Sequence, residues 1–245
     1  MQRIKRQYRS DYQGEDIVTS RTYTAAEWED VKEFIPSQIA NQQTSNQAMI
    51  IGNGASRSDF DLNLLARHTA GLRGINRLQT YGCYALYRDY APHFLFAIGP
   101  DMVDEIANSG YCDDHIVYSN KWSIAEYPRK FYLIPEDPSW NAGSLATYMA
   151  CFDGHKKIFL LGFDGNDHTE YNYNVYAGTN GYPAATENIS EGIWEKSMSS
   201  VFDTYSDVDF VRVAPSVNFR MPESWKYHVN LRTITFRQFV LEVDL

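Results

Sequence analysis

The sequence predicts an α/β fold in which a mostly parallel sheet carries helices on both faces. Three observations support this. Short apolar runs alternate with amphipathic stretches along the chain. The run Ala48 to Ile51 stops at the two glycines of AMIIGNGAS, and the most apolar run, in KKIFLLGFDGND, stops in the same way at Gly162. Short, continuous, β-branched runs read as strands buried on both faces. Strands separated by helices pair in parallel through crossovers. In such sheets ligands gather beyond the carboxyl ends of the strands, where the strand order reverses.

Residues 1–46 read as an N-terminal arm with a short helix, and 47–245 as one Rossmann-like domain. Charged and aromatic residues around Gln13-Gly14 suggest an exposed hairpin or an extended arm. Thr24-Ala-Ala-Glu27 has the form of a capping box, opening a helix with Trp28, Val31 and Phe34 that stops before Pro36. After the first core strand, Gly52 and Gly54 give a tight exit with room for a ligand at the main chain. Ser56 is placed to cap a helix continuing through Leu62 and Leu65, and a strand exit with a helix start would face an anion.

AGLRGIN, ending at Asn76, is expected as the second strand, and Leu78 to Tyr90 as a helix weakened by Gly82. HFLFAI is a strand. A helix follows it from Pro100, with proline in its first turn and acids early. HIVYS and KFYLI add two short strands. NAGSLATYMACFDG is a helix starting near Gly143-Ser144, and its strand partner ends at Gly162 with Asp164 and Asp167 beyond. The Tyr-, Asn- and Gly-rich stretch from Asn166 to Pro183 is long for a connector and reads as a lid. Glu187 to Tyr205 is helical and Val208 to Pro215 a last parallel strand, while Val229 to Val243 is left unassigned.

Composition narrows the classes of function. The 245 residues, 44% hydrophobic and 22% charged, are those of an ordinary globular protein. A formal net charge of -9 argues against a nucleic-acid partner, which needs a positive surface. No apolar run is long enough to span a membrane, and MQRIKRQYRS lacks the apolar segment of a secretion signal, so a cytoplasmic location is expected. Cys83, Cys112 and Cys151 are scattered and odd in number, which fits reduced thiols without a zinc framework.

AMIIGNGAS, the Ala142-Gly143-Ser144 helix start and IFLLGFD, in this order and with this spacing, together resemble the bacterial sialyltransferases of glycosyltransferase family 42. They also resemble the related motility accessory factor, or 6-hydroxymethylpterin diphosphokinase-like, domain. The resemblance covers roughly residues 48–215, with strand Val208 to Pro215 as a weaker fourth element. It implies a nucleotide-sugar-dependent transferase taking a CMP- or UDP-type donor, with an unspecified acceptor and no required cofactor. Asn53, Asn76, Ser144 and, through backbone access, Gly52, Gly54, Ser56 and Gly143 would hold the nucleotide. By the same resemblance Tyr171 or Tyr173 would stabilise the departing phosphate, while Asp164, just past its strand, reads either as a cap of the loop or as a catalytic group that binds a sugar hydroxyl or acts as a base. The diphosphokinase relatives imply magnesium instead, for which Asp164 and Asp167 are the candidate ligands. A nucleotide-binding protein without chemistry is the third reading. Asn166 stands where the family has a first tyrosine, and no histidine occurs between Tyr171 and Tyr227 to serve as the family's lid base. His168 reads as a lid residue without a chemical role, and Arg212 and Arg220 as a solvated face. The oligomeric state is left open.

Overall fold

The computed structural model describes residues 2–6, 17–24, 27–34, 45–65, 78–127, 129–134, 140–164, 174–182 and 192–245. The strands are β1 (Gln2–Arg6), β2 (Ile17–Thr24), β3 (Glu27–Phe34), β4 (Gln47–Ile51), β5 (Leu78–Cys83), β6 (Phe94–Phe96), β7 (Ile116–Ser119), β8 (Tyr132–Leu133), β9 (Lys157–Leu161), β10 (Asp209–Ala214) and β11 (Leu231–Thr235). They form one sheet in the order β11-β10-β9-β4-β5-β6-β7-β8-β1-β2-β3. Every pairing from β11 across to β8 is parallel. This is the doubly wound α/β architecture. The chain enters at β4, builds outward through β8 on one side, and returns to lay β9, β10 and β11 on the other. The order therefore reverses between β4 and β9.

Helices α1 (Pro100–Asn108), α2 (Tyr111–Asp114), α3 (Lys121–Glu126), α4 (Ala142–Phe152), α5 (Ile193–Thr204) and α6 (Phe236–Val243) follow the strands. Alternation along each strand divides the core in two, because successive side chains point to opposite faces. Met49, Ile51, Phe159, Leu161 and Val211 face one layer, with Val103 and Ile106 of α1 and Phe239 of α6. Ala48, Ile50, Ile158, Leu160 and Phe210 face the other, with Leu145 and Met149 of α4 and Met198 and Phe202 of α5. Each central strand is buried on both sides, as its unbroken apolar run requires.

Three stretches differ from their sequence expectation. Glu27–Phe34 is a strand, paired antiparallel with β2 along its whole length from Ile17↔Phe34 to Thr24↔Glu27. An eight-residue helix is marginal by itself, and a continuous ladder to the β-branched IVTSRTYT overrides the capping-box signal. Leu78–Cys83 is a strand with all six residues buried, followed by a 3-10 turn over Tyr84–Arg88, where a helix was expected. Its period cannot distinguish a strand buried on both faces from a buried helix. Finally, the exit of β4 leads only to 3-10 turns at Ala55–Arg57 and Leu62–Leu65, among the described residues. Gly54 takes the N-cap position with no side-chain cap, so Ser56 is not a helix cap. AGLRGIN and Asn76 lie outside the described residues. The unassigned tail is β11 running directly into α6 through a capping box of Thr235 and Gln238.

Beneath the sheet's amino-terminal side, Tyr81 donates to Asp153 at 2.5 Å and meets His155 at 3.1 Å, and His155 meets Gln79 at 2.9 Å. All four residues are buried. The network ties the end of α4 and the start of β9 to β5, which sets the height at which β9 passes beside β4.

Gly162 has φ +71, and a Cβ there would lie 2.7 Å from the Gly52 carbonyl oxygen. A Cβ on Gly143 would meet nothing closer than 3.3 Å. Gly162→Ala is therefore expected to cost roughly 1–3 kcal/mol of stability. Gly143→Ala, in the first turn of α4, is expected to range from neutral to about 1 kcal/mol stabilising. Urea unfolding of the two variants checks the contrast, and equal losses would mean that the approach of the two loops is not what requires glycine.

Candidate functional site

The crevice beyond β4 and β9 is built by two loops that lock together. Gly52 N–H donates to Leu161 O at 2.8 Å and Gly54 N–H to Gly162 O at 3.0 Å. A Cβ on Gly52 would sit 2.7 Å from Gly162 O, and one on Gly54 would sit 2.6 Å from the Asp164 carboxyl group. Both glycines are thus required by the neighbouring loop. Gly54 has φ -63, so the turn needs no left-handed residue there. Asp164 completes the lock: its carboxylate accepts the Ser56 N–H at 2.9 Å and the Ser56 hydroxyl as well. Asp164 is a buttress of the loop in this arrangement, with its oxygens already occupied.

Two side chains from the β4 exit turn toward the lid. Arg57 is buried, donating from Nε to Gly52 O at 2.8 Å and from Nη2 to the Tyr176 hydroxyl at 3.0 Å. The Tyr176 hydroxyl in turn donates to the Asp89 carboxylate at 2.6 Å. Asn53 is 7% exposed, and its Nδ2 donates to Cys83 O and to the Tyr182 hydroxyl, both at 3.0 Å. Its Oδ1 is closed to solvent and has no hydrogen-bond partner among the described residues. A buried carbonyl left so costs free energy that a ligand donor would recover. The Tyr182 oxygen also meets the backbone of Ala85, and burial holds the phenol far above its ordinary pKa, so it keeps its proton. Burial likewise pushes the Cys83 thiol up to about 12, which leaves it unreactive at neutral pH.

The described part of the lid, 174–182, is pinned along its length. Asn174 bridges Gly54, and Val175 N–H donates to Asn53 O at 2.9 Å. Further out, Arg88 grips Glu105 of α1 at 2.8 and 2.6 Å and reaches Thr179 Oγ1 at 2.8 Å and Asn180 O at 3.0 Å. Tyr87 donates to the same carboxylate at 2.5 Å, and Asn180 Nδ2 adds a further bond. Between the Gly181–Tyr182 end of this segment and the start of α1 lies a cavity of about 170 Å³, also lined by Tyr84, Gly99 and Met102. Tyr84 holds φ 51, uncommon for a side chain of its size, at the mouth of this cavity.

On the other flank, α4 starts at Asn141, whose Oδ1 accepts Ser144 N–H at 3.0 Å while its Nδ2 donates to Ser144 Oγ at 3.1 Å. Ser144 is fully buried, and Gly143 lies against Asn141 and Phe163. Arg212 is no solvated residue. It is 1% exposed, and burial lowers its pKa to about 10 while Asp164 opposes that shift. Its guanidinium donates to Phe163 O at 2.7 Å, Asp164 O at 3.4 Å, Phe219 O at 3.2 Å and Arg220 O at 2.7 Å.

The structure thus brings Gly52, Asn53, Gly54, Ser56 and Asp164 together at the strand reversal and sets Gly143 and Ser144 behind Phe163. Tyr171, Tyr173, Asp167 and His168 lie outside the described residues. Sequence reasoning passed over Arg57, Tyr182 and the Arg88–Glu105 pair. Arg57 lies three residues after Gly54 in one expected helix and Arg88 in another, and nothing local marks either as buried or paired. Among the described residues no three His, Cys, Asp or Glu side chains converge as a metal site requires. No helix is long and apolar enough to cross a membrane among those residues.

No protein-family model matches the sequence, and no curated protein matches it. Among solved structures, the chain is similar to a crystal structure of the sialyltransferase CST-II in complex with CMP. The likeness covers 80% of this chain and 98% of that one, at 12% identity and a TM-score of 0.47.

Hydrogen bonding from Arg88, then from Tyr87 and Asn180, lowers the Glu105 pKa from 4.5 to about 2 against the opposing effect of burial. A carboxyl depressed on folding contributes stability that is whole above its unfolded pKa and is lost as pH falls through the folded one. Between pH 4.5 and about 2, the wild type should therefore lose stability more steeply than Glu105→Gln. Thermal melts across that interval test this, and parallel slopes would remove Glu105 from the lid's support.

Proposed function

We propose that this chain binds a nucleotide-sugar donor, of CMP or UDP type, at the reversal between β4 and β9 and transfers its sugar to an acceptor. One observation carries the reading: Asn53, buried at the strand reversal, keeps a carbonyl oxygen without a partner beside the protonated hydroxyl of Tyr182. A buried acceptor beside a protonated hydroxyl suits a ribose or base edge and a phosphate oxygen. The pinned lid supports the same reading, because a segment held over the strand ends excludes water from a transfer that would otherwise become hydrolysis.

In this reading Gly52, Gly54 and Ser56 shape the floor, with Gly143, Ser144 and Asn76 completing the nucleotide's surroundings. Phenols of the lid, Tyr171 or Tyr173 together with Tyr182, donate to the departing phosphate and so offset its developing charge. Asp164 acts as a positioning residue: by holding Ser56 it fixes Asn53, three residues away on the same turn. The reaction requires no bound metal. The membership suggested by the motif order, in the family 42 sialyltransferases, belongs to this proposal. A second reading, nucleotide binding without transfer, is favoured by two observations: the Asp164 oxygens are engaged by Ser56, and no histidine occurs between Tyr171 and Tyr227 to take the acceptor's proton.

CMP or UDP in millimolar excess is expected to raise the melting temperature of the wild type, since a ligand of the folded state stabilises it by mass action. Asn53→Ala should bind at least about tenfold more weakly. No thermal shift with either nucleotide would sink the binding reading.

Transfer itself is tested by chelation. Hydrolysis of a CMP- or UDP-sugar should survive excess EDTA, and Asp164→Asn should lower it by roughly tenfold by loosening Ser56. Loss with EDTA and recovery with magnesium would promote diphosphate transfer, whereas binding with no turnover at all would leave a non-catalytic nucleotide-binding protein.

A further inference from the structure

A second cavity, of about 540 Å³, opens beyond the carboxyl end of β10 and is bounded by the 217–224 loop, Glu195 of α5, Lys226 and Thr233 of β11. Its volume lies in the roughly 300–1,000 Å³ range of small-molecule sites. Both of its walls are fixed. Arg212 holds the 217–224 loop through Phe219 O and Arg220 O. Trp225, fully buried and stacked on Trp194 at 4.8 Å, donates from its indole to Glu195 O at 3.1 Å. The cavity is therefore preformed. It also adjoins the strand reversal, because one Arg212 nitrogen bonds both Asp164 O and Arg220 O.

The lining tells what it takes. Arg220 and Lys226 are balanced by Glu195 and Glu223, and Lys226 pairs with Glu223 at 2.5 Å. With no surplus of either sign, the wall offers little to a phosphate-bearing ligand, which needs uncompensated positive charge. Between the charges lie the hydrogen-bonding side chains of Asn218 and Ser224 and the apolar surfaces of Val217, Phe219 and Met221. A pyranose ring presents that same mixture: a rim of hydroxyls that both donate and accept, and a face of C–H groups.

We propose that this cavity binds a neutral sugar, as a site separate from the crevice at the strand reversal, since the Phe163–Asp164 loop and the buried Arg212 guanidinium stand between the two. A neutral-glycan site here stands independently of the transferase reading above.

Saturation-transfer NMR with methyl β-galactoside, methyl β-glucoside and methyl α-mannoside tests the assignment, with methyl β-glucuronide as the anionic control. At least one neutral glycoside should bind the wild type and bind better than the glucuronide. Asn218→Ala with Ser224→Ala, both exposed positions, should weaken binding by about tenfold, and Phe219→Ala should do likewise. Asn53→Ala should leave it unchanged. Titration with CMP is run on the same samples. Glycoside binding without CMP binding would end the donor reading and leave the sugar cavity standing. CMP binding with no glycoside signal, or glycoside binding indifferent to the cavity variants, would overturn the proposal made here.

Discussion

Everything at the candidate site depends on how closely two loops can approach where the sheet reverses. Parallel strands lie under 5 Å apart, and the backbones leaving β4 and β9 stay at that spacing through Gly52 and Gly162, with no side chain to separate them. The Gly52 and Gly54 N–H groups go to Leu161 O and Gly162 O, so the sheet's hydrogen bonding continues past the ends of the strands. This extension fixes Asn53 between two anchored residues. Its side chain must turn toward β5 and the lid, where it meets Cys83 O and Tyr182. An asparagine on a free loop could satisfy both ends of its amide with water. Here it is held where only one end finds protein.

Two arginines carry this arrangement outward in opposite directions. Arg57 ties the Gly52 carbonyl to Tyr176 and the lid, and Arg212 ties the Phe163 and Asp164 carbonyls to the loop after β10. Each is a buried cation: Arg212 bonds backbone carbonyls, and Arg57 bonds one carbonyl and the Tyr176 hydroxyl. A buried guanidinium is expensive unless its donors are matched, and five fixed donors can match several carbonyls at once. Lysine has neither the reach nor the planar fork to serve at either place. The lid's far end is held separately by Arg88 and Glu105. The 174–182 segment is thus clamped at two points by different chemistry, one buried and one half-open to water.

Much of this was legible in the sequence. The class of fold, the strands around Ile50 and Leu160, the proline-opened helix at Pro100 and the glycine stops at 52, 54 and 162 all follow from local periodicity and from residues whose conformational range is unusual. What was hidden shares one property: it depends on partners distant in sequence. Leu78–Cys83 is a strand because β4 and β6 flank it, and Glu27–Phe34 because β2 lies beside it. Asp164 looked like a base or a ligand because Ser56, 108 residues away, was unknown as its partner. Arg212 looked solvated because nothing in VDFVRVAP says that four carbonyls surround it. The order of motifs put Gly52, Asn53, Gly54 and Asp164 near strand ends, where the structure has them, but it set Arg212 in solvent and left the partner of Asp164 unseen.

That error bears on how an anion could be held here. A glycine turn at a helix start would attract phosphate through free N–H groups and the helix dipole. In this chain the Gly52 and Gly54 N–H groups are used by the β9 loop, the Ser56 N–H is used by Asp164, and the segment that follows is a 3-10 turn with little dipole to offer. Asp164 occupies the position that a phosphate would take in the more familiar arrangement. Arg57 and Arg88 are already matched, the one by a backbone carbonyl and Tyr176, which turns to Asp89, and the other by Glu105. If the proposed nucleotide binds on this side of the loop, its phosphate would be met by neutral donors such as the Tyr182 hydroxyl. Neutral donors bind a phosphate less tightly than a cation does, but they stabilise a leaving group without drawing a second charged partner into the cleft. In the proposed reading, discrimination would rest on shape and on the hydrogen bonding of Asn53, set between Cys83 O and Tyr182.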